Sequence, residues 1–281
     1  MNEEVHFSMA LKVYKDSACT QLIQTEIGRL EGDGSTTSFT CSENPTEVRK
    51  FSSSATNGEL LTEGTDYTIT DNGNGTYTVT LTTAPAEGET VIAIGSGEKI
   101  FSGLYAIGNS SVESDRTLEQ QLFLKAENVD AQNVVVSFGD YVADTELTVD
   151  TDYTVTDNGD NTYTVTLTTA PAQGEGAVAI AGGSVVGVLV GDGSTTTFIC
   201  SANPEHVYKY IGLSKYFYHL APDNSGSPGT YENAGADLEI GSMNSGDVIP
   251  FWVKCIIPEG VPMSNYRDIN IKITGLQFAT N

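Results

Sequence analysis

Basic side chains, histidine and cysteine are all scarce in this chain of 281 residues, and each shortage closes off a class of function. Thirteen Lys and Arg against 37 Asp and Glu give a formal charge of −24. A phosphate backbone is repelled by such a chain, so no nucleic-acid partner is expected. The three histidines, His6, His206 and His219, form no HExxH run and flank no GxSxG elbow, which leaves no basis for a zinc protease or a catalytic triad. Four cysteines, Cys19, Cys41, Cys200 and Cys255, contain no CxxC pair and are too scattered to staple a small secreted scaffold. They read as free, buried thiols. Long apolar runs are missing too. The most apolar stretch, Ala177 to Val190, is interrupted by Gly182, Gly183 and Gly187 and falls short of the roughly 20 residues of a membrane helix, so no membrane association is expected. Glu3 and Glu4 stand where a secretory signal needs positive charge, and the expectation is a chain made in a cytoplasm.

What the chain does have is internal repetition. Thr65 to Ala86, TDYTITDNGNGTYTVTLTTAPA, returns 86 residues later as Thr151 to Ala172, TDYTVTDNGDNTYTVTLTTAPA, with three differences. Gly32 to Pro45, GDGSTTSFTCSENP, returns at another offset, 159, as Gly191 to Pro204, GDGSTTTFICSANP. A fainter match sets Leu122 to Asn128 before the second TDYT block as Phe39 to Asn44 stands before the first. The simplest reading is three related β units in tandem, the third keeping the opening half and diverging afterwards.

Alternation of period two marks the strands. Tyr67 and Ile69, then Tyr77, Val79 and Leu81, share an apolar face opposite threonines, and Asp71-Asn72-Gly73-Asn74-Gly75 between them suits a hairpin turn because Asn and Gly tolerate positive φ. Ala84-Pro85-Ala86 stops that ladder and Val91 to Ile94 supplies the next strand. Phe251, Val253, Cys255 and Ile257, and later Ile269, Ile271 and Ile273, show the same phase, while Ala221 to Gly235 reads as an exposed loop. The best helical candidate, Leu118 to Asn128, is a strand by the middle-repeat alignment.

Several segments superficially suggest chemistry. The acidic runs Asp71 to Gly75 and Asp157 to Asn161 lack the alternate oxygen ligands and closing glutamate of a calcium loop, and Gly32-Asp33-Gly34 and Gly191-Asp192-Gly193 have no following lysine or helix to hold phosphate. All four read as turns. Tyr208, Tyr210, Tyr216 and Tyr218 cluster in YKYIGLSKYFYHL, either as a packed sheet face or as a stacking platform for a sugar. No catalytic, cofactor-binding or metal-ligating residue is assigned, and no enzymatic activity is expected.

The order GDGST, Phe39, Gly64-Thr65-Asp66-Tyr67-Thr68, hairpin, Ala84-Pro85-Ala86, Gly88 resembles a β-sandwich module of tailed-phage virion proteins. It is similar to the N-terminal domain of podophage tail fibres and to modules of head-decoration and baseplate proteins. The second copy keeps Thr151-Asp152-Tyr153-Thr154 and Ala170-Pro171-Ala172 but lacks the glycine opening. Leu238 to Gly275 resembles the last half of an immunoglobulin-like module of phage structural proteins. The resemblance implies an all-β chain of tandem or nested small antiparallel β-sandwich (immunoglobulin-like) modules. Its tandem division is 1–31 as an N-terminal β segment, 32–97 as module 1, 98–183 as module 2 and 184–281 as a C-terminal immunoglobulin-like module. A nested alternative joins Met1 to Arg29 with the C-terminal strands and inserts the TDYT units. The implied function is a virion component assembled in the host cytoplasm: a tail appendage, baseplate or collar protein, with a capsid decoration protein or a surface adhesin as alternatives. Implied partners are other virion proteins, further copies of the chain, and a host-surface glycan.

Overall fold

The computed structural model describes residues 11–52, 55–97, 100–101, 110–139, 144–211, 214–259 and 270–279. His6 and Ile269 lie outside them. Along the chain, β1 (Leu11–Tyr14) opens a sandwich that the backbone at once leaves. A first module follows: β2 (Glu26–Glu31), β3 (Ser38–Cys41), β4 (Glu47–Ser52), β5 (Ala55–Leu60), β6 (Tyr67–Asp71), β7 (Tyr77–Leu81) and β8 (Thr90–Ile94). The backbone returns as β9 (Thr117–Ala126) and β10 (Val129–Gly139). It departs again through β11 (Thr145–Glu146), β12 (Tyr153–Asp157), β13 (Tyr163–Leu167), β14 (Glu175–Ala181), β15 (Ser184–Val190), β16 (Thr197–Cys200) and β17 (His206–Ile211). It closes with β18 (Tyr218–Pro222), β19 (Leu238–Met243), β20 (Val248–Ile256) and β21 (Asn270–Ala279).

The fold is therefore all-β, built from small antiparallel sheets. A host sandwich stacks β1-β9-β20-β18 on β19-β10-β21, and two modules are inserted into it, one between β1 and β9 and the other between β10 and β18. The tandem division does not describe this arrangement, and the nested alternative describes it only in outline: Leu11–Tyr14 and the C-terminal strands do share the host sandwich, but Glu26–Arg29 belong to β2 of the first insert, and β9 and β10 join the host. A boundary after residue 183 would cut the β14–β15 hairpin, and a module starting at 98 would take in β9 and β10, which pair instead with β1, β20, β19 and β21. Leu122 to Asn128 is likewise host sequence: Leu122 and Leu124 point into the host core with Phe251, Val253, Cys255 and Ile271. The helical alternative for this segment fails because its inward phase has period two.

The two modules are one fold with its chain ends in different places. Sheet β2-β8-β4-β5 faces β3-β7-β6 in the first, and β15-β14-β17-β11 faces β16-β13-β12 in the second. The nine side chains of the first core, Ile27, Phe39, Cys41, Val48, Tyr67, Val79, Leu81, Val91 and Ala93, correspond to Val186, Phe198, Cys200, Val207, Tyr153, Val165, Leu167, Ala177 and Ala179. Joints between the two repeated segments match as well. Gly32 N–H donates to Glu89 O at 2.8 Å as Gly191 N–H does to Glu175 O at 2.8 Å, and Leu81 N–H donates to Thr37 O at 2.7 Å as Leu167 N–H does to Thr196 O at 2.8 Å. In the first module the chain enters at β2 and leaves from β8. In the second, their counterparts β15 and β14 are joined by a tight turn at Gly182 and Gly183, with φ of 54° and 72°, which glycine adopts without cost. The second chain break falls between β17 and β11, whose counterparts β4 and β5 are consecutive. The modules are circular permutants, so the three-unit tandem reading is replaced by two complete copies. The glycine opening missing ahead of the second TDYT block lies after it, at Gly191.

Candidate functional site

The sheet register lets the outer faces of the two modules be compared position by position. On the first, Arg29 and Arg49 flank Ile92, Glu26 and Glu47 flank Ile94, and Glu31 and Phe51 flank Thr90. Arg29 pairs with Glu26 at 2.8 Å and Glu31 at 3.1 Å, and Arg49 pairs with Glu47 at 2.8 Å. On the second, Val188 and Tyr208 flank Val178, Val185 and His206 flank Ile180, and Val190 and Tyr210 flank Gly176. Val178, Ile180 and Tyr210 are buried in the host core cluster, with Val185, Val188, Val190 and Tyr208 packed against it. The first face sets a self-neutralising ladder of charge around a small buried apolar strip, Phe51, Ile92 and Ile94; the second is apolar on its flanks as well and packs on the host.

This geometry places the four clustered tyrosines. Tyr210 and Tyr218 are buried, Tyr210 edge-on to Phe217 at 5.2 Å and Tyr218 against Phe138 at 5.2 Å. Tyr208 and Tyr216 are half-buried and stack on each other at 4.8 Å. Gly176 makes room for this seam, because a Cβ there would meet the Tyr210 ring at 2.2 Å. The tyrosines join module to host, which is the packed-face reading.

Other candidates resolve into local structure. All four cysteines are free, and Cys41, Cys200 and Cys255 are buried as expected, whereas Cys19 is only half-buried, in the turn after β1. Burial pushes the thiols of Cys41 up to about 12, Cys200 to about 11 and Cys255 to about 12, so none of these three is poised as a nucleophile. Cys41 and Cys200 fill the same notch: an added Cβ on Gly28 would lie 2.7 Å from Cys41 Sγ, and on Gly187 2.6 Å from Cys200 Sγ. His206 Nδ1 lies 2.7 Å from Glu146 Oε1, and His219 Nδ1 lies 3.1 Å from Glu232 O, its basicity lowered by burial. In the acidic runs the carboxylates hold their own turns. Asp71 Oδ1 accepts from Gly73 N–H and Asp157 Oδ1 from Gly159 N–H, each at 2.8 Å. Asp33 accepts from Thr36 Oγ1 and from the Ser35 and Thr36 amides, and Asp192 does the same with Thr195 and Ser194. These bonds, the threonine hydroxyls first, hold both carboxyls well below the usual range. Among the described residues no three His, Cys, Asp or Glu side chains group as a metal site, and no helix is long and apolar enough to cross a membrane.

Two features escaped the sequence reading. Trp252 stands on the outer face of β20, where its indole N–H donates to Asp223 Oδ1 at 2.8 Å and Gln121 Nε2 donates to the same oxygen at 2.7 Å. The Gly226 amide and then the indole keep the Asp223 carboxyl below its ordinary range and pin the loop after β18. The available signal was the outward phase of Trp252 between Phe251 and Val253. The second feature is a cleft of about 800 Å³ between Glu26–Arg29 with Asn72, Asn74 and Thr76 on one wall and Lys272–Gly275 with Gln277 on the other. It could not be foreseen, because the segments on its two walls meet only through nesting. No family model, curated protein or solved structure matches the chain.

Proposed function

We propose that the chain is a structural component of a tailed-virus virion, most naturally a tail appendage, baseplate or collar protein, which acts by protein–protein assembly rather than by catalysis. One observation carries the reading: the same seven-stranded module occurs twice, and in one copy its four-stranded outer face has become an apolar docking surface. A module whose inner core is kept while its outer face is refitted to a neighbour is an assembly part. The resemblance of the GDGST, TDYT and APA segments to tail-fibre and decoration modules supports the viral setting, and those segments form matching turns and strands in both copies. The host sandwich, with four strands over three, is read as immunoglobulin-like. Immunogold cryo-EM of purified particles tests the proposal. Label on the tail supports it, label on the capsid moves the chain to the decoration class, and absence of the chain from particles overturns both.

A second reading, glycan binding, is favoured by Trp252, a half-buried indole whose ring orientation Asp223 and Gln121 fix on the outer face of β20. Binding on a glycan array that is lost in Trp252→Ala supports it; unchanged binding in that variant excludes this face.

A further inference from the structure

With 37 acids to 13 bases, this chain has a carboxylate to spare for every cation, and among the described residues all Lys and Arg side chains but one are engaged. Six pair with glutamates, Lys215 and Lys254 lie over tyrosine rings, Arg116 donates to the Ile257 carbonyl oxygen, and Lys15 is engaged too. The exception is Lys272. It is exposed, and its ammonium meets no carboxylate, carbonyl or ring among the described residues.

Lys272 lines the cleft of about 800 Å³ between the first module and the host, a volume within the range of small-molecule sites. A bridge between Thr25 and Ile271 joins the two walls at one end. Glu26 and Arg29 on the module wall cancel each other at 2.8 Å, so Lys272 gives the lining its net positive charge. Neutral hydrogen-bonding groups surround that charge. Thr76 donates to Asn74 Oδ1 through its amide at 3.1 Å and its hydroxyl at 2.7 Å, which leaves Asn74 Nδ2 as a free donor among the described residues. The Thr40 and Thr274 hydroxyls, also in the lining, have no partner among the described residues.

The second module shows that the fold does not require these groups. At the places of Asn74 and Thr40 it has Asp160 and Ile199, and Asp160 closes the same turn by accepting from Thr162 at 3.0 and 2.5 Å. The first module thus presents an amide and a hydroxyl to the cleft where its permuted copy has an acid and an apolar side chain with 66% of its surface exposed.

We propose that this cleft binds an acidic saccharide, with its carboxylate on Lys272 and its ring hydroxyls on Asn74, Thr40 and Thr274. The unanswered ammonium selects a carboxylate, and the groups around it, hydroxyls that both give and accept and an amide that gives, match sugar hydroxyls. A dense polyanion does not fit, because a chain of −24 repels it outside this one spot. The cleft borders β21, whereas Trp252 stands on the other sheet of the host, so this is a separate site and goes beyond the assembly reading.

NMR titration of the purified full chain tests this with two pairs of probes, trigalacturonate against its methyl ester and sialyllactose against lactose. At least one acid should bind with a dissociation constant of about 1 mM or tighter, and its neutral counterpart at least about tenfold more weakly. Lys272→Ala and Asn74→Asp should each weaken the acid about tenfold, Thr40→Ile about threefold, and Trp252→Ala should change nothing. Asn74→Asp and Thr40→Ile install residues that the second module carries at the same places, and Lys272 is exposed, so unfolding midpoints should match the parent and separate lost binding from lost fold. No binding of either acid, equal binding of acid and neutral counterpart, or binding that survives both Lys272→Ala and Asn74→Asp overturns the proposal. Loss of binding in Trp252→Ala overturns it too, moving the sugar to the outer face of β20. None of these results depends on where the chain sits in a particle.

Discussion

Glu26, Arg29, Glu31 and Arg49 of the first module and Val185, Val188, Val190 and Tyr208 of the second occupy matching places on matching sheets, and share no chemistry. The first set is held by ion pairs within its own face; the second packs against the host. Beneath both faces the nine core positions stay apolar and seven keep the same residue, the exceptions being Ile27/Val186 and Val91/Ala177, and the turns keep their hydrogen bonds. The sandwich thus constrains its interior and its turns, while the outward side of the four-stranded sheet answers only to what lies against it.

The largest effect should come from putting charge on the docking face. Val178 is 0% exposed at the seam, so Val178→Lys buries an unpaired ammonium and is expected to cost about 3–5 kcal/mol, read by denaturant unfolding. The charged face is sharpened by the reverse exchange. Arg29→Val leaves the Glu26 carboxylate, 8% exposed, without its main cation and should cost about 3 kcal/mol. Replacing Glu26, Arg29 and Glu31 together with the three valines of the other module should come within about 1 kcal/mol of the parent. If the single and the triple are equally destabilised, the ladder is not a unit.

A smaller, matched pair probes the shared interior. Gly28→Ala and Gly187→Ala each drive a Cβ into a cysteine sulfur and into a carbonyl oxygen at 2.9 Å and 3.0 Å, and each should cost about 1–3 kcal/mol. The two costs should agree closely, and a large disparity would break the equivalence of the modules. The smallest effect concerns Asp33 and Asp192. Their carboxyls titrate lower folded than unfolded, so their contribution is present above the unfolded value of about 3.9 and is lost as pH falls through the folded one. Asp33→Asn and Asp192→Asn should therefore lower stability slightly at pH 7, equally in both copies, and lose the parent's decline below about pH 4, so that variant and parent converge in acid.

Strands were legible in the sequence wherever one face is wet. Tyr67 to Leu81 and Phe251 to Ile257 alternate cleanly, and Asp71 to Gly75 announces its turn. The permutation was half visible: GDGST precedes TDYT in the first copy and follows it in the second, and that reversal of order is its signature. It was obscured because the strands linking the two repeated segments, β2 with β15 and β4 with β17, diverged on the outward side. EVRKFS and HVYKYI share only the inward Val48/Val207 and the Lys50/Lys209 that follow two residues on. The tyrosine cluster could be named but not placed, since whether a sheet face is wet depends on a neighbour distant in the chain. Trp252 was passed over for the same reason.

Nesting also dictates a timetable. Leu11 must wait for Ala126, and Leu122 for Phe251, before either finds its partner across the ladder. Each inserted module, by contrast, holds all seven of its strands in one uninterrupted stretch and can finish as soon as it leaves the ribosome. Of the described strands β21 is made after all the others, and it lies on the opposite side of β10 from β19. A nascent chain stalled before residue 270 would carry two finished ornaments on a frame still lacking its final slat.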